Sequence, residues 1–207
     1  MTYGPEAFAQ DTNVSRETLD RLIAYAALLE KWQGSINLVS RKSLNDLWRR
    51  HMLDSAQILT HIPAGEGPVL DLGSGAGFPG LVLAVLGTPD VHLVESDARK
   101  CAFLREAARV VGANVTIHNR RIEELPALQA RVVTARALAS TCVLLSYATE
   151  YLDNSGICLF LKGQAVEDEL TTAKKRWIFR ETLIPSRSGD TGWLVRLEGI
   201  THGRDEA

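Results

Sequence analysis

The chain has 207 residues, of which 45% are hydrophobic and 23% are charged, and its formal net charge is −2. This composition is typical of a soluble globular protein that can bury a substantial core as one domain with an extension. The small net charge excludes an overall electrostatic attraction to nucleic acid or to a membrane surface, so a polyanion can be bound only by a local cluster of basic residues.

The cysteines and the hydropathy pattern indicate the compartment. Cys101, Cys142 and Cys158 lie inside apolar segments and do not have the spacing of metal ligands. An odd and scattered set of this kind predicts reduced thiols, a cytoplasmic protein and no metal site. No apolar run approaches membrane-spanning length, so we expect no membrane association.

Residues 1–65 are predicted to form a helical extension. Ser15 precedes apolar residues at helical spacing and is therefore the expected N-cap of a long helix. A second helix is predicted over 44–59, because five apolar residues align there: Leu44, Trp48, Met52, Ala56 and Leu59. A loop rich in glycine and proline follows. We expect the extension to pack on the core formed by residues 66–207 rather than to fold as an independent domain.

From Val69 onward, short apolar runs alternate with helical patterns. The predicted strands are 69–72, 91–95, 115–118, 131–135 and 157–161. The predicted helices between them are 79–87, 97–111 and 140–152. Such alternation is typical of a parallel sheet that helices cover on both faces.

The C-terminal region has a different pattern. "RWIFRETLI" and "GWLVRLEGI" are typical of strands, and the turn-rich "PSRSGDT" between them suits an antiparallel pair. The sequence therefore predicts an α/β, Rossmann-like fold. Its mostly parallel sheet has seven strands, with a C-terminal antiparallel hairpin and an N-terminal helical extension.

The segment "VLDLGSGAGFPG" predicts a binding loop after the first strand. Ligands of doubly wound sheets bind at the carboxyl ends of the strands, and Gly73, Gly75 and Gly77 lack the Cβ atoms that would keep a ligand away. The dinucleotide pattern G-x-G-x-x-G requires a glycine where this chain has Phe78. Asp71 beside the loop disfavours a pyrophosphate and favours a cationic amino-acid group. These features indicate S-adenosylmethionine as the cofactor.

Acidic residues at the next two strand ends fit the same cofactor. Glu95 ends the second predicted strand, where its carboxylate can accept both hydroxyls of a ribose. Such a charge-assisted contact contributes about 1.5–3 kcal/mol. Glu123 follows the third strand, in a position suited to an adenine ring, and Ile122 beside it can contact the same ring.

Six segments occur in a characteristic order between about Trp32 and Leu170: "HMLDS", "DLGSGAGFPGLVLA", "VESDARKCAFLRE", "RRIEE", "ARALAS" and "LKGQAVEDEL". Together they resemble the bacterial 16S rRNA (guanine-N7)-methyltransferase family, also called glucose-inhibited division protein B. The resemblance implies S-adenosylmethionine as donor and a guanine in the decoding-region loop of 16S rRNA, in the small ribosomal subunit, as acceptor. It also implies cofactor contacts at five positions: Gly73, Phe78, Ile122, Glu123 and Arg136.

The residue types near the site restrict the methyl acceptor. An exocyclic amine needs an Asn/Asp-Pro-Pro-aromatic loop where this chain has "ARALAS", and pyrimidine carbon-5 needs a cysteine nucleophile, usually after a proline. Guanine N7 carries a lone pair and no proton, so it can attack the methyl group in line without a general base. Arg136 ends the fourth strand and Lys162 ends the fifth. These two cations are the candidate catalytic residues, because each can hold the guanine or a neighbouring phosphate.

Basic residues around the second predicted helix indicate the rRNA contact. Arg49 and Arg50 precede His51 in this helix, and we expect these three residues to bind rRNA. His51 shares a helix face with Asp54 and Ser55, which favours a surface network over a hydrolase triad.

Other functions compete with this interpretation. A nicotinamide oxidoreductase is disfavoured by the missing third glycine and by the absence of a Tyr-x-x-x-Lys pair. A methyltransferase of a different RNA, of a small molecule or of a protein is compatible with the fold, and so is a silent rRNA-binding module. We expect a monomer that acts on the small ribosomal subunit.

Overall fold

The N-terminal region is helical, as predicted. The protein is described by a computed structural model that covers residues 3–189 and 191–203. Its first helices are α1 (Pro5–Thr12), α2 (Arg16–Gln33) and α3 (Arg41–Leu44). A π-helical turn (Trp48–Leu53), α4 (Asp54–Ala56) and a 3-10 turn (Gln57–His61) follow. Ser15 caps α2, because its hydroxyl accepts a hydrogen bond from the Thr18 N–H.

Seven strands form one sheet. They are β1 (Val69–Leu72), β2 (Val91–Glu95), β3 (Val115–Asn119), β4 (Ala130–Arg136), β5 (Leu152–Lys162), β6 (Trp177–Pro185) and β7 (Trp193–His202). Their order is β3-β2-β1-β4-β5-β7-β6. The first five strands run parallel, and β7 lies antiparallel between β5 and β6. The predicted Rossmann-like sheet with its C-terminal antiparallel hairpin is confirmed; Asp190 of the predicted turn lies outside the described residues.

Helices cover both faces of the sheet. They are α5 (Gly80–Val85), α6 (Ala98–Val111), α7 (Thr141–Ala148) and α8 (Val166–Ala173), with a 3-10 turn at Ile122–Glu124. On one face, Leu81 of α5 and Phe103 of α6 share an apolar cluster with Leu22 of α2. On the other face, Leu144 of α7 and Leu170 of α8 belong to a second cluster. In the described part of the chain, none of the helices has the length and apolar character that crossing a membrane requires.

Two short helices are absent from the sequence-based expectations. α1 and α8 have eight residues each. Helices of that length are not stable alone in water, so their formation depends on tertiary packing. Phe8 of α1 is fully buried and Leu170 of α8 nearly so, and these contacts hold the two helices in place.

The second predicted helix is irregular where a regular helix over 44–59 was expected. Its middle is a π-helical turn, in which the consecutive residues His51, Met52 and Leu53 are all buried. A regular α-helix turns successive side chains by about 100°, so a helix packed on one surface only would expose at least one of these three residues. The wider π turn changes this register, and Leu59 of the expected apolar face is therefore exposed.

The helical extension contacts the glycine loop through Tyr25. The fully buried Tyr25 of α2 donates a hydrogen bond from its hydroxyl to the Ala76 carbonyl oxygen. Its ring lies 5.4 Å from the ring of Phe78 and 6.3 Å from that of Phe103, measured between centroids. The extension thus shares its core with the loop that follows β1.

Candidate functional site

The loop between β1 and α5 is held by a buried carboxylate. Asp71 is fully buried, and its Oδ2 accepts the Gly80 N–H at 3.2 Å while its Oδ1 accepts the Thr134 hydroxyl at 2.9 Å. Burial raises the pKa of Asp71 to about 6, although these hydrogen bonds oppose the shift. The side chain points into the protein and lines neither of the two cavities that open at the carboxyl edge of the sheet. The sequence suggested that Asp71 contacts the cofactor directly, and the structure instead gives it a supporting position.

Two glycines of the loop serve different purposes. A Cβ on Gly77 would lie 2.7 Å from the Tyr25 hydroxyl oxygen and 2.9 Å from the Leu81 Cβ, so this glycine is required by packing beneath the loop. Gly75 has a φ of +57°, and a Cβ there would have only the Gly73 carbonyl oxygen, at 3.8 Å, within 4 Å. The backbone at Gly75 therefore borders open space, as a loop that holds a ligand must.

Two adjoining cavities open at the carboxyl edge of the sheet. The β2–β3 cavity, of about 360 Å³, is lined by the ends of these strands, including Glu95, Ile122 and Glu123. The β4–β5 cavity, of about 590 Å³, is lined by Arg136 and Lys162 and by parts of both the extension and the C-terminal hairpin. Five residues line both cavities: Gly73, Gly75, Lys100, Ala137 and Ala139. The glycine loop thus separates two connected compartments.

Glu95 faces the β2–β3 cavity in a fixed orientation. Its carboxylate accepts the Gly75 N–H on Oε2 at 3.0 Å and the Asp97 N–H on Oε1 at 2.8 Å. The residue is 8% exposed. Each carboxylate oxygen can accept a further hydrogen bond, so the group retains acceptor sites for a ligand.

Ile122 and Glu123 line the same cavity as Glu95. The Tyr151 hydroxyl donates to the Ile122 carbonyl oxygen and holds the 3-10 turn in position. Glu123 is exposed, and its pKa is lowered by a hydrogen bond from its own backbone N–H and by one from Tyr147. Tyr147 also lines the cavity and was not predicted, since a tyrosine near the end of α7 has no motif around it.

Arg136 lies over an aromatic ring in the β4–β5 cavity. Its Cζ is 5.0 Å from the centroid of the buried Phe78 ring, and its Nη1 donates to the Arg50 carbonyl oxygen at 3.1 Å. Desolvation lowers the pKa of Arg136, but a guanidinium stays protonated at neutral pH. Ala137 follows in the left-handed region at φ 52°, an uncommon conformation for alanine that turns the chain between the two cavities. Phe78 therefore contributes a platform for the cation.

His51 is a neutral, buried member of the cavity wall. Its ring centroid lies 4.8 Å from that of Phe78, and neither ring nitrogen has a hydrogen-bond partner in the described part of the protein. Desolvation, followed by the nearby charges of Arg136 and Arg50, lowers the pKa of His51 to about 3. The ring is therefore uncharged at neutral pH and cannot bind a phosphate as a cation.

Lys162 was expected to contact the guanine or a phosphate, but its ammonium group is bound to other groups of the protein. Its ammonium group donates to the Glu169 carboxylate and to the Ala139 carbonyl oxygen, both at 2.7 Å, and only 7% of the side chain is exposed. Glu169 in turn accepts the Thr141 N–H and hydroxyl. This arrangement joins the end of β5 to α8 and to the start of α7. The ammonium is thus engaged inside the protein instead of facing the solvent.

The predicted RNA-binding arginines occupy two places. Arg50 is exposed and lines the β4–β5 cavity. Arg49 stacks on the ring of Tyr3, with its Cζ 4.6 Å from the ring centroid, and is not part of the cavity wall. Lys100, at the start of α6, lines both cavities and was not singled out, because a basic residue at a helix start is common on protein surfaces.

No metal centre is found within residues 3–189 and 191–203: no three His, Cys, Asp or Glu side chains there are grouped to hold a metal ion.

The fold has counterparts among solved structures. The ribosomal protein L11 methylase from Lactobacillus delbrueckii subsp. bulgaricus has a TM-score of 0.60 and 13% identity, over 74% of this chain and 79% of its own. M. jannaschii TYW2, solved in complex with AdoMet, has a TM-score of 0.56 and 15% identity, over 81% of this chain and 78% of its own. At these identities the likeness establishes the fold alone, which is that of the Rossmann-like methyltransferases.

Sequence comparisons identify the family as well as the fold. A family model described as rRNA small subunit methyltransferase G matches residues 18–188. The protein named Ribosomal RNA small subunit methyltransferase G from Paramagnetospirillum magneticum is 55% identical over 97% of this chain and 98% of its own. The protein of the same name from Rhodospirillum rubrum is 54% identical over 95% of this chain and 98% of its own. The chain therefore belongs to the rRNA small subunit methyltransferase G family, and the predicted family is confirmed.

The buried His51 predicts an acid-sensitive stability. An unfolded histidine takes up a proton near its ordinary pKa of 6.5, whereas folded His51 stays neutral down to about pH 3. Between these values unfolding takes up a proton, so the folded state loses stability as the pH falls. From pH 7 to pH 5 this loss is roughly 2 kcal/mol. A His51→Leu variant removes it, so its unfolding free energy should fall less than that of the wild type.

Chemical denaturation at several pH values measures this difference. Because the two proteins share every other titrating group, the difference between their pH profiles isolates His51. Parallel profiles from pH 7 to pH 5 would contradict the neutral, desolvated state of the ring.

Proposed function

We propose that this protein transfers the methyl group of S-adenosylmethionine to N7 of a guanine in the decoding-region loop of 16S rRNA, in the small ribosomal subunit. The family and the methyltransferase fold support the general activity. The choice of N7 rests on the side chains of the β4–β5 cavity, where the acceptor has to enter beside the glycine loop.

Among the described residues of the cavity wall, three have the imidazole or carboxylate side chains that most often act as general bases: His51, Asp54 and Glu169. Each of the three is either a weak base or is bound by neighbouring groups. His51 has a pKa of about 3 and is therefore a weak base. Hydrogen bonds from Lys162 and Thr141 outweigh the effect of burial and lower the pKa of Glu169. Three hydrogen bonds to one oxygen of Asp54 hold its carboxylate against neighbouring groups.

An acceptor without a proton to lose is the one that this wall suits, and this observation carries the proposal. The lone pair of guanine N7 forms the new N–C bond as the S–C bond breaks, and the thioether S-adenosylhomocysteine leaves. Positive charge passes from sulfur to the guanine, so no proton moves. The protein contributes by holding the two reactants in line.

The β2–β3 cavity fits the nucleoside part of the cofactor. S-adenosylmethionine supplies the methyl group as an electrophilic sulfonium. We assign the ribose hydroxyls to the carboxylate of Glu95, which is already oriented by the Gly75 and Asp97 N–H groups. The adenine ring is assigned to Ile122 and Glu123 in the same cavity. The amino-acid end then lies along the glycine loop, where the backbone at Gly73 and Gly75 borders both cavities.

Within this arrangement the other predicted site residues act in different ways. Arg136 faces the acceptor, and its guanidinium can donate to guanine O6 or to a phosphate. Asp71 and Gly77 shape the loop from behind instead of touching the cofactor. Lys162 holds the cavity floor through Glu169. These assignments leave Arg136 as the cation best placed to contact the base.

The exposed Arg50, which lines the cavity, and the nearby Arg49 are assigned to rRNA phosphates. The buried His51 is assigned to the RNA site only as part of the cavity wall, against the Phe78 ring. We propose a cytoplasmic monomer as the acting form. A methyltransferase that acts on a different RNA or on a small molecule is the alternative.

Labelled methyl transfer tests the function directly. Wild-type protein with labelled S-adenosylmethionine should modify 30S subunits that lack the methyl group, and mass mapping should place one methyl on N7 of a guanine in the decoding region. Subunits that already carry the modification are the negative control. Incorporation into 50S subunits, into protein or into small molecules, with none in 30S subunits, would overturn the assignment.

The open space at Gly75 gives a matched pair of variants. Gly75→Ala and Gly112→Ala both place a methyl group on a left-handed residue, at φ +57° and +63°, where no side chain lies within 4 Å. Each should lose a similar stability, of about 1–2 kcal/mol. Gly112 lies at the end of α6, away from both cavities, so only Gly75→Ala should weaken the binding of S-adenosylhomocysteine, by about tenfold. Calorimetric titration measures this, and equal affinities would contradict the assigned cofactor position.

A further inference from the structure

A loop of the C-terminal hairpin forms one wall of the β4–β5 cavity. The loop joins β6 to β7 and is here called the hairpin loop, residues 186–192; its Asp190 lies outside the described residues. Four of its residues line the cavity: Ser188, Gly189, Thr191 and Gly192. A Cβ on Gly192 would lie 2.9 Å from the Ser186 Cβ, so the loop closes on itself without room for a side chain there.

The hairpin loop is anchored to the helical extension by a carboxylate. Asp54 Oδ1 accepts the Ser186 hydroxyl at 2.9 Å and the Ser188 hydroxyl at 2.9 Å. It also accepts the side-chain amide of Gln57 at 2.8 Å. Gln57 in turn accepts the Arg187 N–H on its Oε1 at 3.0 Å. Asp54 and Gln57 therefore hold three consecutive loop residues, through two hydroxyl groups and one backbone N–H.

This anchor lies at the cavity and not in the apolar core. Asp54 itself lines the β4–β5 cavity beside Arg50 and His51. Ser188 is 7% exposed, so the bonds between the hydroxyl and the carboxylate are shielded from water and are stronger than surface contacts. On the far side of the loop, a Cβ on Gly189 would lie 3.8 Å from Nη1 of Arg50. The anchored loop thus faces the same opening as the arginine assigned to rRNA.

We propose that Asp54 is a positioning residue: through Ser186 and Ser188 it fixes the hairpin loop as the wall against which the RNA acceptor docks. The inference rests on the proposed function and extends it to the "HMLDS" segment and to the C-terminal turn. The described lining residues of the loop, Ser188, Gly189, Thr191 and Gly192, have small side chains or none, so they leave space for a flat base, and they provide this surface only while the shape of the loop is held.

Because Asp54 lies in only one of the two cavities, its effect on RNA binding can be measured separately from cofactor binding. Asp54 and the hairpin loop line the β4–β5 cavity and are not part of the β2–β3 cavity wall. Loss of the anchor should therefore change the affinity for the RNA substrate and leave the affinity for S-adenosylhomocysteine unchanged. If Asp54 contributed only to stability, its removal would change neither the RNA affinity nor the S-adenosylhomocysteine affinity of the folded protein.

The test uses five variants of the full chain, one of which combines Asp54→Ala with Ser186→Ala. In Asp54→Ala the KM for unmethylated 30S subunits should rise about tenfold, with the S-adenosylhomocysteine Kd within twofold of wild type. Asp54→Asn keeps an oxygen acceptor and should restore most of the affinity. Ser186→Ala should raise the KM on its own but add little to Asp54→Ala, because both remove the same contact. Asp20→Ala is the control, since this exposed carboxylate pairs with Arg16 far from the cavities.

A second measurement follows the loop itself. Hydrogen exchange at the Arg187 and Ser188 amides should accelerate in Asp54→Ala, whether or not RNA is present. If Asp54→Ala does not fold, the Ser186→Ala/Ser188→Ala double variant carries the same expectations.

An unchanged KM, additive effects of Asp54→Ala and Ser186→Ala, or unchanged exchange would each overturn the proposal. If the wild type transfers no methyl group to 30S subunits, the proposed function fails instead. The exchange measurement then still decides whether Asp54 anchors the loop.

Discussion

The buried carboxylate of Asp71 holds the first loop of the sheet in the shape on which the rest of the site depends. It bonds the N–H of Gly80 at the start of α5 and the hydroxyl of Thr134 in β4, and so joins three elements at one point. Burying a carboxylate without partners is costly, and these two donors offset part of that cost. With β1, β4 and α5 fixed together, the glycine loop has one path, and its Gly75 N–H reaches Glu95 at the end of β2.

From this point the site is assembled from three parts of the chain. The sheet provides Glu95 for one cavity and Arg136 for the other. The helical extension contacts the loop through Tyr25 and forms part of the β4–β5 cavity wall through the π-helical turn. The C-terminal hairpin closes the remaining side, tied back by Asp54. The electrostatics of the β4–β5 cavity follow from this packing, because enclosure beside two arginines is what keeps His51 neutral.

The sequence predicts the sheet well and the β4–β5 cavity less well, for physical reasons. β1 and β2 have the predicted limits, because buried parallel strands are continuous apolar runs between turn residues. Glu95 was identifiable since a charged residue that ends such a run has to face the edge of the sheet. The burial of Asp71 was not predictable, because an aspartate near the end of a strand before a glycine loop gives the same sequence pattern whether its side chain faces a ligand or the core.

The extension and the hairpin show the limits of pattern-based analysis. A π turn cannot be recognised from apolar spacing, so the inward position of His51 appeared only in the structure. The hairpin loop consists of turn-forming residues with no chemical signature, and its contact with Asp54 joins positions more than 130 residues apart. Lys162 was an isolated cation in the sequence, and its partner Glu169 became visible only when α8 was placed. Long-range polar contacts of this kind are set by tertiary packing.

A crystal structure with S-adenosylhomocysteine tests the central claim most directly. We expect the ribose hydroxyls within about 2.6–3.0 Å of the Glu95 carboxylate, which is the normal range for such bonds. The amino-acid end should lie along Gly73 and Gly75, with the sulfur facing the β4–β5 cavity. A ligand bound elsewhere, or a Glu95 side chain that leaves the Gly75 N–H and turns away from the ribose, would contradict this account.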